Sequence, residues 1–439
     1  MERILTLSLI ASLCLPLTAG GTSRQTPSGS TLIRDVRVFD GERVIDHRSV
    51  LFGNGTISQI GGPTLGAKKA AVIDGRNRTL LPALIDAHVH VGADPQADLR
   101  QLAAFGVVSV LDMFGSAEML RARQRIASAD PADLADLRGA GIGAVAPGSM
   151  LAGMLRQPLP TLTGPEQAES WVNARIAEGS DYIKIIFDPR EGGPLSLDTV
   201  KAIVLAAHAR RKLVVVHALD EQRAREAIEA GADGLAHLFL GDAASADFGQ
   251  LAARHHVFVI PTLITLDGLC GNPQGPELLA DPLLASYLPA DQRAASLKQP
   301  DSSRQHLCQA IPVALHELVA SRVPVLAGTD TGIATGRLLG VVAYGATLHV
   351  ELKLLVDEGL TPMQALTAAT SAAARAFQFN DRGLIRPGMR ADLVLVEGDP
   401  TQDILATRRI VEVWKRGVRV NRKNDKEAQQ RNTGSSNAR

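Results

Sequence analysis

Two histidines, His88 and His90, stand one residue apart in the apolar run LPALIDAHVHVGAD, residues 81–94. On a strand, residues i and i+2 share a face, so the two imidazoles project together, about 7 Å apart. Imidazole is the commonest protein metal ligand, and such a pair can grip one ion from one side. Asp86 has the same parity. For this short motif alone, a pair of satisfied core histidines is an equal alternative. Four more apolar runs hold a polar residue. They are Lys184 in YIKIIF, His217 ending LVVVHA, His237 in GLAHLF and Asp330 in VLAGTDTG. All are metal-ligand or titrating types, and as simple core residues each would need its own buried partner.

Something must bring these residues together. Eight short apolar runs follow one another: 83–91, 107–114, 141–147, 182–187, 213–218, 234–239, 258–263 and 325–332. They are rich in Val, Ile and Leu, as buried parallel strands are. Helical segments separate them, as in repeated βα units. Thr163-x-x-Glu166 and Thr361-Pro362-x-Gln364 read as capping boxes, and Gly179 and Gly231 as helix ends. The pattern predicts an α/β chain with a (β/α)8 TIM-type barrel over 81–383, with a doubly wound open sheet as the alternative. In such barrels chemistry sits at the C-terminal strand ends. Residues 31–80 and 384–420 alternate like paired strands, with Asn54-Gly55 as a hairpin turn. They are expected to form a small β-sandwich domain from both chain ends. The long connection 264–310 reads as a lid with helices of its own, and 421–439 as a disordered tail.

Lys and Arg number 46 and Asp and Glu 46, so there is no net charge to attract nucleic acid, and no basic stripe is visible. Residues 1–20 combine Arg3 with the apolar run Ile4–Leu17 and small residues after it, which predicts a cleaved secretory signal peptide. The expected location is the periplasm or the exterior, with no membrane association after cleavage. Cys270 and Cys308 remain in the mature chain. An oxidising compartment permits them to pair and brace the lid; two buried thiols are the alternative. No surface patch decides whether the chain is a homo-oligomer.

The ligand types in this order, with LIDAHVH, YIKI, VVVHA, AGTDTG and GMRADLVLVEGDP, resemble the amidohydrolase superfamily in its two-metal subtype. The flavour is similar to the imidazolonepropionase-like branch, which includes Xaa-Pro dipeptidases. The resemblance covers nearly all of the chain after the signal, and Ala83 departs from it where the family usually has Gly. It implies two divalent metal ions, zinc as the first choice. His88, His90 and Asp330 would hold one and His217 and His237 the other. Lys184, carboxylated by CO2, would bridge them. Burial favours a neutral amine, which can take up CO2. The implied reaction is hydrolysis of an amide or peptide C–N bond by a metal-bridging hydroxide, with Asp330 as general base and then acid. The implied substrate is a dipeptide or N-acyl amino acid. Esters, lactones and carbamates fit the same chemistry, and a one-metal cyclic-amide hydrolase or deaminase is the runner-up. Asp86 reads either as an orienting residue for the histidines or as a hydrogen-bonded core carboxylate.

Substrate contacts are expected from loops after the strands. Arg190, Arg337 and Tyr344 are candidates to hold a carboxylate or carbonyl oxygen, and His349 and His306 to touch substrate. Met113, Phe114, Met150 and Met154 suggest an apolar substrate group, or loop packing.

Overall fold

The computed structural model describes residues 29–129, 131–149, 159–188, 195–272, 274–296, 306–332 and 343–422. The signal segment, the tail from 423, Arg190, Arg337, Met150 and Met154 lie outside the described residues.

The chain starts with β1 (Thr31–Phe39), β2 (Val44–Gly53), β3 (Thr56–Gly61), β4 (Ala71–Asp74) and β5 (Arg78–Pro82). The Asn54-Gly55 turn forms, with φ of 51° and 87°, the left-handed pair that matches strand twist in a two-residue hairpin. Then strands and helices alternate. The order is β6 (Leu84–Val89), α1 (Pro95–Ala104), β7 (Val107–Asp112), α2 (Ala117–Ala129), β8 (Asp136–Gly139), α3 (Ala168–Glu178), β9 (Ile183–Ile186), α4 (Leu197–His208), β10 (Val214–His217), α5 (Glu221–Glu229), β11 (Gly234–Ala236), α6 (Phe248–Arg254) and β12 (Phe258–Ile260). Short helices α7 (Leu263–Leu269), α8 (Gly275–Ala280), α9 (Pro282–Ala285) and α10 (Ala290–Ala295) follow. After them come α11 (Ala310–Ala320), α12 (Ala346–Asp357), α13 (Pro362–Ala368) and α14 (Ser371–Ala376). The chain returns to strands in β13 (Leu393–Glu397), β14 (Ile410–Lys415) and β15 (Val418–Arg419).

Strands β6 to β8 form one parallel sheet and β9 to β12 another. Single parallel bridges join what lies between them: Ala144 to Ile185, Val259 to Val325, and Val89 to Thr331. The third strand differs from expectation. The ladder begins at Asp136, before the apolar run 141–147, because the Asp136 carboxylate is neutralised by residues far along the chain. The first capping box also differs. Gly164 precedes a 3-10 turn at Pro165–Gln167 with no side-chain cap, while the Gln167 side chain accepts from Thr163 N. The second box, at Thr361 and Gln364, forms in full.

The two chain ends build one mixed eight-stranded sheet, ordered β15-β14-β13-β5-β1-β2-β3 with β4 beside β1. A sandwich of two sheets was expected; hydrogen bonds make a single continuous one. It closes over its own core, including Val38, Phe52, Leu80, Leu393, Leu395 and Trp414. The Phe52 and Trp414 rings meet edge-on at 5.3 Å.

Asp136 ties this sheet to the parallel strands. It pairs with Arg382, Arg390 and Lys415, each at 2.7 Å. Burial pushes its carboxyl up, but Arg390, Lys415 and Arg382 outweigh that and hold it below the usual carboxylate range. Asp136→Asn removes the anion that buried Lys415 shares with Arg382 and Arg390, which keep Asp381 and Asp392, and should cost about 3–5 kcal/mol in urea unfolding at pH 7. A depressed folded pKa contributes stability above the unfolded value, near pH 4, and loses it as pH falls further. The wild type should therefore weaken more steeply than Asp136→Asn between about pH 5 and pH 3.

Cys270 and Cys308 form a disulfide with Cα atoms 6.1 Å apart, across 38 residues of sequence. It joins the end of α7 to the segment entering α11. A loop of this length corresponds to roughly 4 kcal/mol of unfolded-state entropy. Reduction, or Cys308→Ser, should lower the melting temperature by several degrees. An unchanged midpoint after complete reduction would show that the crosslink contributes no net stability.

Candidate metal centre

Strand alternation places His88 within β6 and His90 just beyond it, facing the segment 325–332. Asp330 Oδ1 lies 3.2 Å from His88 Nε2 and 2.9 Å from His90 Nε2, and the two Nε2 atoms are 3.4 Å apart. The edge of a tetrahedron with bonds of about 2 Å is about 3.3 Å. These three donor atoms therefore converge as ligands of one ion do, and all three residues offer them within a common reach. His90 Nδ1 faces the Phe114 carbonyl at 3.3 Å, which places its proton there and leaves the Nε2 lone pair inward.

The other half lies beside it. The His237 ring is 4.9 Å from that of His88 and 4.7 Å from that of His217, centroid to centroid. Thr262 Oγ1 donates to the Pro261 carbonyl and so accepts from His237 Nδ1, at 2.7 Å each. That fixes the tautomer and leaves Nε2 of His237 unprotonated. His217 ends β10, and its Nε2 is buried without a hydrogen-bond partner among the described residues. Asp188 Oδ2 stands 3.6 Å from it.

Lys184 is buried in the middle of β9, and its Nζ has no hydrogen-bond partner among the described residues. Burial lowers its pKa to about 7, with Asp330 opposing. Burial and the Lys184 charge push His88 down to about 3. Burial also raises the Asp330 carboxyl, but His88 and His90 outweigh it and hold the group well below the carboxylate range. An amine close to neutral, the neutral imidazoles of His88 and His237, and an anionic carboxylate form a donor set suited to a divalent cation. The orphaned nitrogens of Lys184 and His217 are what such a cation, or a group bound to it, would satisfy.

The backbone around the ligands is held closely. Asp86 touches neither imidazole. Its Oδ1 accepts from His88 N at 3.1 Å and Thr329 N at 3.0 Å, and its Oδ2 from Thr329 Oγ1 at 2.8 Å. It thus sets His88 through the main chain. Asp330 N donates to the His88 carbonyl at 2.7 Å. Gly328 and Gly332 make this approach feasible. A Cβ on either would come within 2.9 Å of His88 Cβ or 2.6 Å of His90 Cβ.

Tyr344 and His349 do not face the cluster. Tyr344 is buried and donates to the His90 carbonyl at 2.7 Å, so it braces a ligand's backbone instead of holding substrate. His349 has both ring nitrogens engaged, at 3.0 Å each, by Thr407 Oγ1 and the Phe105 carbonyl. Its side of α12 packs inward, and no nitrogen is left for substrate. His306 lies at the start of the segment leading to α11 and is exposed. Several supporting residues escaped the sequence reading: Thr262, Thr329, Asp112 and Asp188. Asp112 ends β7 and accepts from Val91 N at 3.2 Å and Phe114 N at 3.0 Å, bracketing His90. Asp112 and Asp188 carried the same signal as the ligands, an acid at the end of an apolar strand.

Thr262→Val keeps the shape and removes the acceptor that fixes His237. It should weaken metal binding by about 10–100-fold, read by competition with a chromogenic chelator, with little change in melting temperature of the metal-free protein.

Comparison with known proteins agrees with this geometry. The model of the amidohydrolase family matches residues 79–421. An uncharacterised protein of Mycobacterium tuberculosis is 29% identical over 343 residues, 74% of this chain and 80% of that one. An imidazolonepropionase of Deinococcus deserti is 40% identical over 65 residues, 14% of this chain and 16% of that one. The crystal structure of a Xaa-Pro dipeptidase with bound methionine superposes with a TM-score of 0.71 at 23% identity, covering 90% of this chain and all of that one. That likeness is one of fold: a barrel-type α/β enzyme with an added domain. With the family model spanning most of its length, the chain belongs to the amidohydrolase family, metal-dependent hydrolases acting on C–N bonds.

Proposed function

We propose that this protein is an exported two-metal hydrolase that cleaves the amide or peptide bond of a dipeptide or N-acyl amino acid. The observation that carries the two-metal reading is the Lys184 amine. It is buried, unpaired and close to neutral at physiological pH, among four histidines and an aspartate. A one-metal site needs only His88, His90 and Asp330 with a neighbour, and gives that amine nothing to do.

His88, His90 and Asp330 would hold one ion, and His217 and His237 the other. Lys184 would bridge them after its free amine adds CO2 and loses a proton, giving a carbamate. When bound, the two ions, zinc by the nitrogen and carboxylate donors, would supply Lewis acidity to the carbonyl and acidify water at neutral pH. The rest is done by this chain's own groups. Asp330 has a second oxygen beyond the Oδ1 aimed at the histidines, and its carboxylate stays anionic. It takes the proton of the attacking water and delivers it to the leaving nitrogen as the C–N bond breaks. Thr262 and the Phe114 carbonyl keep His237 and His90 in the tautomers that leave Nε2 free. Asp86 and Tyr344 hold the His88 and His90 main chain in place.

The three single bridges between the parallel strands support one closed (β/α)8 barrel, with all of these residues at one end. Export is supported by the leader-like residues 1–20 and by the Cys270–Cys308 disulfide, since disulfides persist in oxidising compartments. The Xaa-Pro dipeptidase with methionine in its active site supports an amino-acid product.

Elemental mass spectrometry of the purified protein should give close to two metal ions per chain, falling to about one in Lys184→Ala. A value of one in the wild type, persisting after zinc and bicarbonate are supplied, would favour the one-metal ring hydrolase or deaminase. Asp330→Asn should lower turnover of a dipeptide panel by at least about 10³-fold, since it removes a ligand and the proton carrier together. Undiminished hydrolysis in that variant would remove Asp330 from the mechanism.

A further inference from the structure

At the strand-start side of the molecule a cavity of about 190 Å3 opens between α2, β8, the segment after α14, and β14. Its walls include Arg123, Arg138, Arg382 and Lys415, with Asp136 and Phe379. Most of this positive charge is matched. Arg123 pairs with Asp181. Arg382 pairs with Asp381 at 2.8 Å and Asp136 at 2.7 Å. Lys415 pairs with Asp136, which also serves Arg390.

Arg138 is different. Its guanidinium lies over the Phe379 ring, 3.8 Å from the centroid, and donates one N–H to the Phe377 carbonyl at 2.7 Å. Among the described residues no carboxylate forms an ion pair with it. A guanidinium has five N–H donors, so most of its capacity is unspent. Arg382 lies over the same ring at 4.6 Å. Burial, and then the charge of Arg382, work against the protonated form of Arg138, only partly offset by Asp381. Like charges have been gathered around a cavity, and one planar fork is kept stacked and unpaired at its wall.

We propose that this cavity is a binding site for a small oxyanion, a carboxylate or a phosphate, clasped by the Arg138 fork. The fork matches two oxygens of such an anion side by side. The volume suits a small anion. The location separates it from the metal centre. Phe377, whose carbonyl receives Arg138, packs against Tyr182 and Phe258 at 5.3 Å. Those two residues stand at the starts of β9 and β12, whereas His217 and Asp330 lie at strand ends. An anion here would bridge α2 and β8 to β14, joining the parallel strands to the terminal sheet.

Calorimetric titration of the metal-loaded protein with inorganic phosphate, and separately with succinate, at constant ionic strength in chloride tests this. The relative affinities tell a phosphate site from a carboxylate site. Saturable binding of at least one is expected in the millimolar range or tighter. Arg138→Gln should weaken it by about 10–100-fold and leave dipeptide hydrolysis unchanged. Arg138→Lys keeps the charge without the fork and should weaken binding several-fold; it gives the same comparison if the Gln variant does not fold. No saturable binding of either anion, or equal affinity in the wild type and both variants, would overturn the proposal. Binding confined to the metals would produce that second result.

Discussion

The centre of this molecule depends on one seam, where the segment 326–332 lies against β6. Ala87 N donates to the Ala327 carbonyl at 2.9 Å, and His90 N to the Thr331 carbonyl at 2.8 Å. The His88 carbonyl accepts from both Thr329 N, at 3.1 Å, and Asp330 N, at 2.7 Å. Asp330 adopts a left-handed φ of 55° to turn its carboxylate toward the imidazoles, at a cost of about 1 kcal/mol or more for a residue with a Cβ. Two glycines without side chains allow the approach, and Asp86 staples both strands from beneath. A clamp whose halves are some 240 residues apart in sequence is assembled by ordinary main-chain hydrogen bonds.

The seam explains why the ligands were legible and their supports were not. His88, His90, Lys184, His217, His237 and Asp330 stand out because a strand buried on both faces normally contains no such groups. Thr262 and Thr329 do not, since threonine is a good strand residue and its hydroxyl has no sequence signature. Tyr344 and His349 were placed by their distance after Asp330 alone. A helix has an inner and an outer face, and α12 turns His349 toward protein atoms, while Tyr344, just before it, meets the His90 carbonyl. The third strand shows the opposite case. DLRG looks too polar for a barrel strand, yet Asp136 is half-buried there because Arg382, Arg390 and Lys415 arrive from the far end of the chain. Local pattern cannot count charges that come from 250 residues away.

The same contrast distinguishes the two charged regions. At Asp136, cations and anions meet inside the protein, and the hydrogen bonds are short. The result is a joint between the terminal sheet and the parallel strands. At the metal centre most of the groups are more deeply buried, and they do not all satisfy one another. Lys184 Nζ and His217 Nε2 have no hydrogen-bond partner among the described residues, and two imidazoles share the Asp330 carboxylate. An unsatisfied buried polar group costs roughly 1–3 kcal/mol, so a chain selected for stability alone would have filled these positions with aliphatic residues.

That cost has a direction. Removing the carboxylate of Asp330 would take from His88 and His90 the anion they share. Replacing Lys184 by leucine would relieve an orphan and stabilise the metal-free fold. Stability and function therefore make opposite demands on the same residue. A buried amine close to neutrality, with no hydrogen-bond partner among the described residues, is a group that something from outside the chain would complete. In this respect Lys184 and Arg138 are alike: each is a cationic side chain held in place by its surroundings and left with donors unspent. Lys184 sits deep in the middle of β9. Arg138 lines a cavity open to solvent, where an anion can arrive and leave without any rearrangement of the strands.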